Sequence, residues 1–324
     1  MSRYIYCLLI SLRLFSGDLK EVVNPFEIDF PIKKELTFED YQLVQEKLRK
    51  IDLFSLLDER YPEHWKKKNP FVKRVIYDDF AARLYRGLVQ TMIDPERGLY
   101  PEKKLIKINE GGADCIVIFS SFDRIYPQYV LSLIKALEEV GYDGWIYYRL
   151  GGYPNPTGEE IRYSGVPYAF KLFMLEEARD LGFRYLLWLD TSLLPLKSPK
   201  PLFEALHTKG VLYKETAPLL KYMLPATLEE IYQFTGRDIT TSKHLRMPVF
   251  GVDTHLEWFD DFLLEHKKLV RLGTPFFSCL PEEFVLTALK DRFFPNSLTP
   301  TEMLVGFDYT PSVKNGYYFY LRHH

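Results

Sequence analysis

Cys115-Ile116-Val117-Ile118-Phe119, Trp145-Ile146-Tyr147-Tyr148 and Tyr185-Leu186-Leu187-Trp188-Leu189-Asp190 are three apolar runs, each too short for a helix. Continuous rather than alternating apolarity marks strands covered on both faces, as in a parallel sheet. Between the first two, Pro127 opens a helix whose Val130, Leu133, Leu137 and Val140 share one stripe, and Gly141 ends it. Between the second and third, a loop with Pro154, Pro156 and Gly158 leads to Pro167. Phe170, Met174, Ala178 and Leu181 then step along a second helix that stops at Gly182. Strand, helix, strand, helix, strand with short joints predicts an α/β fold on a mostly parallel, Rossmann-like sheet flanked by helices. Ligands of such sheets sit beyond the carboxyl ends of the strands. Ser120, Gly151 and Asp190 fall there.

Outward from this core, residues 37–93 read as helical. Thr37-x-x-Asp40 is a loose capping box before Val44, Leu48 and Ile51. Asn69-Pro70 opens a further helix, with Val72, Ile76, Phe80, Leu84, Leu88 and Met92 recurring every four residues. The expected organisation is an N-terminal segment and helical extension over 1–110 and a main domain over 111–324. Toward the other end, Thr254-x-x-Glu257 reads as a capping box for a helix carrying Leu256, Phe259 and Leu263. Tyr317 to Leu321 reads as a strand, followed by Arg322-His323-His324.

Composition narrows the function classes. The 42 basic and 44 acidic side chains leave a net charge of −2, without the broad positive field of a nucleic-acid binder. Three cysteines, Cys7, Cys115 and Cys279, are too scattered for a disulfide framework or a zinc knuckle. Ser2-Arg3 and the apolar run Tyr4 to Leu12 have the outline of a signal peptide. Arg13 interrupts the run, and Phe15-Ser16-Gly17 is a poor cleavage site, so a cytoplasmic chain is expected. No stretch reaches the ~20 apolar residues that span a bilayer. Phosphate loops, nucleophile elbows and dinucleotide fingerprints are missing, which argues against P-loop NTPases, α/β-hydrolases and dinucleotide oxidoreductases.

An apolar strand that delivers one acid at its mouth, as at Asp190, suits a hard cation held beside phosphates. Lys171, in the first turn of the preceding helix, is a point charge suited to a phosphate, and the start of that helix offers backbone N–H groups. The plainer alternative is that Asp190 caps its turn and Lys171 is solvated.

The run Pro167-Tyr168-Ala169-Phe170-Lys171, with Glu177-Ala178, Gly182 and Leu187-Trp188-Leu189-Asp190-Thr191-Ser192 through Pro195, resembles the GT-A-fold nucleotide-sugar glycosyltransferases. The likeness is to the glycogenin-like and galactosyltransferase branches, and weaker segments extend it over residues 113–295. It implies a GT-A-type fold and transfer of a hexose-type sugar from a nucleoside diphosphate donor to a hydroxyl on a glycan, lipid or protein. Where the family has Asp-x-Asp, this chain has Asp190-Thr191-Ser192. The resemblance implies that Asp190 contacts a divalent cation (Mn2+ or Mg2+), the donor ribose, or both. Ser192 would be a weak or water-mediated ligand, and His323 or His324 would complete the coordination. Ser120 and Asp123 would meet the base, and Arg162 and Lys171 the diphosphate. Glu282 and Glu283 are candidates for catalytic base or stabiliser of an oxocarbenium-like transition state, although acids after Pro281 also suit a helix start. Asp253 and Trp258, with Phe276 and Phe277, are expected on the acceptor side. Two alternatives stay open: a GT-A-shaped module that binds nucleotide or glycan without turnover, and a sugar nucleotidyltransferase. Ser120-Ser121-Phe122 lacks the Gly-rich basic loop usual in the latter.

Overall fold

The computed structural model describes residues 24, 26–51, 92–123, 125–218, 223, 225–278, 280–295 and 303–322. Helix α1 (Phe38–Leu48) starts at the expected cap. Thr37 Oγ1 accepts from Asp40 N, and the Asp40 carboxylate accepts from Thr37 N. The expected helix after Asn69 lies outside the described residues, Met92 apart. There follow β1 (Glu102–Ile108), β2 (Cys115–Ser120), α2 (Tyr126–Glu139), β3 (Gly144–Leu150), α3 (Phe170–Asp180), β4 (Tyr185–Leu189) and β5 (Leu193–Pro195). The rest comprises α4 (Lys200–Lys209), β6 (Val211–Thr216), α5 (Pro225–Thr235), β7 (His244–Asp253), α6 (Phe259–Leu272), α7 (Pro281–Phe293), β8 (Val305–Gly306), α8 (Tyr309–Lys314) and β9 (Phe319–Leu321).

Six strands form one mixed sheet in the order β1-β3-β2-β4-β7-β6, flanked by helices. The three apolar runs are its centre: β3, β2 and β4 are consecutive parallel strands. β1 joins β3 antiparallel, and β7 lies antiparallel between β4 and β6. Strands β5, β9 and β8 make a second small sheet.

Burial on both faces of β2 explains its unbroken apolarity. Cys115, Val117 and Phe119 share a cluster with Leu172 and Phe173 of α3, whereas Ile116 and Ile118 share one with Val130, Leu133 and Leu137 of α2. The first crossover thus covers one face and the second covers the other. Chain order reverses at β2, because β3 lies on one side of it and β4 on the other. Such a reversal opens a crevice beyond the carboxyl ends of the strands. Gly151 packs tightly beside the end of β2. Its N–H donates to Ser120 O at 2.7 Å at a φ of +60°, and a Cβ there would lie 2.0 Å from Phe122 Cε2.

The division at residue 110 does not follow the packing. β1 falls in the segment expected to be an extension, yet it is the edge strand of the main sheet, with Lys103, Lys104 and Lys107 exposed along it. Phe26, Ile28, Phe30, Val44 and Leu48 bury into the same cluster as α3. Asn24 Nδ2 donates to Val270 O at 3.0 Å, and Asn155 Nδ2 to Lys33 O at 2.7 Å. Among the described residues, no helix is long and apolar enough to cross a membrane.

Candidate functional site

Lys171 sits in the first turn of α3, and Asp190 is the residue after β4. Helix and strand run in opposite directions, so both reach the same end of the sheet. Lys171 is buried there, and its ammonium meets three acceptors: Glu282 Oε1 at 2.7 Å, Asp190 Oδ1 at 3.0 Å and Met247 O at 3.5 Å. The rings of Tyr168 and Trp188 face it at 5.4 and 5.7 Å. An ammonium has three N–H donors, so this set uses all of them. Burial opposes the charge, but Asp190 and Glu282 outweigh it and hold the ammonium above its ordinary range. Tyr168, just before the helix, adopts a φ of +61°, uncommon for a residue with a side chain.

Asp190 Oδ1 also accepts from Trp188 Nε1 at 2.8 Å, and its backbone N–H donates to Pro248 O at 2.9 Å across to β7. Its side chain keeps 27% exposure, against 8% for Glu282 and 6% for Glu283. Of the three carboxylates, Asp190 alone is open to a ligand to any extent. Glu283 Oε1 accepts from Arg246 Nε at 2.9 Å and from Met247 N at 3.3 Å, while Oε2 is buried without a partner. Burial, with the adjacent Glu282 adding to it, pushes the Glu283 carboxyl up to about 7 despite Arg246 and Lys171. Arg246 stands opposite Lys214 in the β6–β7 register, and Lys214 Nζ donates to Val305 O at 2.6 Å. Burial and the Arg246 charge lower the Lys214 pKa, and among the described residues no carboxylate pairs with it.

The loop after Asp190 is held from the second sheet. The Arg322 guanidinium donates to the carbonyls of Thr191 at 2.8 Å, Leu193 at 3.0 Å and Ser192 at 3.2 Å, and to Ser132 Oγ at 2.8 Å. It lies 3.9 Å over the Tyr129 ring, and its backbone N–H also donates to Ser192 O.

The site therefore gathers Lys171, Asp190, Glu282 and Glu283 from the sequence-expected set. Ser120 and Asp123 lie at the carboxyl end of β2, beside the crevice. Val117 pairs with Trp188, so Asp190 stands level with Phe119, one residue short of Ser120. The Ser120 hydroxyl donates to Ser121 O at 2.8 Å.

Other expectations are corrected by placement. Two N–H groups at the start of α3 are already engaged, Ala169 N with Val166 O and Lys171 N with Tyr168 O. Lys171 has no donor left for a phosphate. Arg162 is taken by Glu27 and Glu159, and its carbonyl accepts from Ile28 N, so it fastens the N-terminal segment. Asp253 pairs with Tyr185 in register, at the end of β4 remote from Asp190, and is chelated by Arg184 through two 2.8 Å bonds. No side-chain cap forms at Thr254; α6 begins at Phe259, and the Thr254 hydroxyl turns to Phe183 O. Phe276 and Phe277 are buried, so these two rings are core and not an acceptor platform, and the half-buried Trp258 packs against the core, stacked on Phe294 at 4.8 Å. His323 lies outside the described residues.

Arg246, Lys214 and Arg322 are the functional candidates that sequence reading missed. Arg246 had a signal: it is the one charged side chain between Leu245 and Val252.

A divalent cation fits the described donor set poorly. Asp190 Oδ1 is already taken by an ammonium and an indole, and the loop carbonyls that follow accept from a guanidinium. Among the described residues, no three His, Cys, Asp or Glu side chains gather as metal ligands.

Fold and site together define an α/β protein with a mixed six-stranded sheet and a charged cluster at the carboxyl ends of its parallel strands. No protein-family model matches the chain, and no curated protein is significantly similar to it.

Proposed function

We propose that this protein is a glycosyltransferase of the GT-A type, moving a sugar from a nucleoside diphosphate to a hydroxyl acceptor. The observation that carries the reading is the meeting of Asp190 with Lys171, Glu282, Glu283 and Arg246 at the chain reversal. The partial exposure of Asp190, beyond the carboxyl end of β4, supports contact with a donor. On this reading the Ser120–Asp123 loop receives the base, and Asp190 takes a hydroxyl of the ribose or of the transferred sugar. As the bond from the sugar to the diphosphate breaks, charge builds on the leaving phosphate, and Arg246 and Lys214 are the cations available to meet it. Glu282 and Glu283 stand behind Asp190 and orient the cations.

The test is calorimetric titration of the full chain with a panel of nucleoside diphosphates, repeated on Asp190→Asn. Binding of at least one of them is expected, weakened about tenfold or more in the variant by loss of a charge-assisted contact. No binding to the wild type, or equal binding to both, refutes the reading. The replaced second acid and the engagement of Asp190 by Lys171 favour a second reading, a nucleotide- or glycan-binding module without turnover. Bound nucleotide sugar that is neither hydrolysed nor transferred would select it.

A further inference from the structure

Asp190 Oδ1 and the backbone carbonyls of residues 191–193, oxygens that a metal could use, are already occupied, chiefly by basic side chains. Lys171 brings its ammonium to Asp190 Oδ1 and bridges to Glu282 Oε1, with Met247 O as third acceptor. Arg322 covers the three backbone carbonyls of residues 191–193. These are hard oxygens of the kind that Mg2+ and Mn2+ take. A divalent ion on the remaining Asp190 oxygen would stand within a carboxylate's width of a full positive charge. Screening is weak there, because Lys171 is 4% exposed and Glu282 is 8% exposed.

We propose that Lys171 is the resident cation of this site, held in a cradle of Asp190, Glu282 and the Met247 carbonyl, and that Asp190 works without a divalent metal. The cradle selects a monovalent cation tethered to the chain. Two carboxylates balance one ammonium with one negative charge left over, and the ammonium's donors match the three acceptors in number. Removing the ammonium leaves two carboxylates and a carbonyl converging on the space it filled, which is the start of a divalent-ion site. As a statement about cofactor use, the inference rests on the transferase reading. Its test involves no nucleotide, so each can fail alone.

The experiment follows free Mn2+ by electron paramagnetic resonance as full-length protein is added, for wild type, Asp190→Asn, Lys171→Ala and the double variant. Wild type is expected to leave the free-ion signal unchanged at equimolar protein. Lys171→Ala is expected to take up one Mn2+ per chain, roughly a hundredfold or more tighter than wild type, because the repelling charge is gone. The double variant is expected to lose that uptake. Stoichiometric binding by wild type that disappears in Asp190→Asn overturns the proposal. Should Lys171→Ala not fold alone, a chain that folds only with Mn2+ present supports the cradle. One that gains nothing from Mn2+, in uptake or in thermal midpoint, overturns it.

Discussion

Replacing Glu283 by Gln tests the electrostatics of the site without touching its shape. The Glu283 carboxyl is buried, and its pKa is raised from an ordinary 4.5 to about 7. Below 4.5 it is protonated in both the folded and unfolded chain and contributes no pH dependence. Between 4.5 and about 7 the unfolded chain has released the proton and the folded chain keeps it, so stability falls as pH rises. Above that window both states are ionised and the loss is complete. A shift of this size amounts to on the order of 3 kcal/mol, at 1.36 kcal/mol per pH unit. The amide oxygen of Gln can still accept from Arg246 Nε and Met247 N, as Oε1 does now. Its NH2 replaces Oε2, which has no partner, and so costs about 1–3 kcal/mol at every pH. The signature is therefore a slope and not a level. Urea unfolding of both proteins from about pH 5 to about pH 8 should show the variant gaining on wild type by most of that 3 kcal/mol. Titrating groups that do not interact with Glu283 cancel in the difference. A difference that stays flat across the window would refute the assignment of a raised Glu283.

Three further outcomes are expected. His266 is buried between Phe173 and Phe276, and burial lowers its pKa to about 3; His266→Leu should remove up to about 5 kcal/mol of the stability that wild type loses as pH falls from 6.5 toward 3, read as a lower acid-unfolding midpoint by circular dichroism. Glu177 binds Arg149 through 2.7 and 2.6 Å bonds and also accepts from Tyr147 Oη and Asn155 N, so Glu177→Ala should cost about 3–5 kcal/mol in urea unfolding by leaving a buried guanidinium unpaired. Gly151→Ala should lower the thermal midpoint, with a cost of about 1 kcal/mol or more from the positive φ alone and more from the clash with Phe122, whereas the same change at Gly182, which has open space, should be milder.

How much of this was legible in the chain depends on the range of the interaction. The central strands were, because burial on two faces writes an unbroken apolar run, and the caps at Thr37 and Gly141 act within a few residues. The exposure of aromatic residues was not. Trp258, Phe276 and Phe277 have the composition of a sugar platform, and only the packing around Phe294 and Phe26 shows the two phenylalanines to be core and Trp258 to be packed against it. Asp253, an acid ending an apolar strand, was expected on the acceptor side. β7 runs antiparallel to β4, so its end is the wrong end of the sheet.

The Lys171–Asp190 pair shows where inference from sequence can be pushed further. Helix α3 has 11 residues and β4 has 5, so at 1.5 and about 3.3 Å per residue both are roughly 16–17 Å long. A helix that packs on a sheet and feeds the next strand runs antiparallel to it. Equal lengths therefore return the first turn of the helix to the level of the strand's last residue. That puts Lys171 and Asp190 at one level of the sheet, and their 3.0 Å contact means that the lysine cannot be counted as a free phosphate ligand. Glu282 escapes this reasoning: it reaches the same point only through the long-range pairing of β4 with β7, anchored where Asp190 N meets Pro248 O, and through the seating of α7 on β7 by Thr287, whose hydroxyl accepts from Leu245 N. The level of the half of the cradle built by one helix–strand unit thus follows from element lengths. That of the half built across the sheet does not, and it is that second carboxylate which turns a surface lysine into a buried cation.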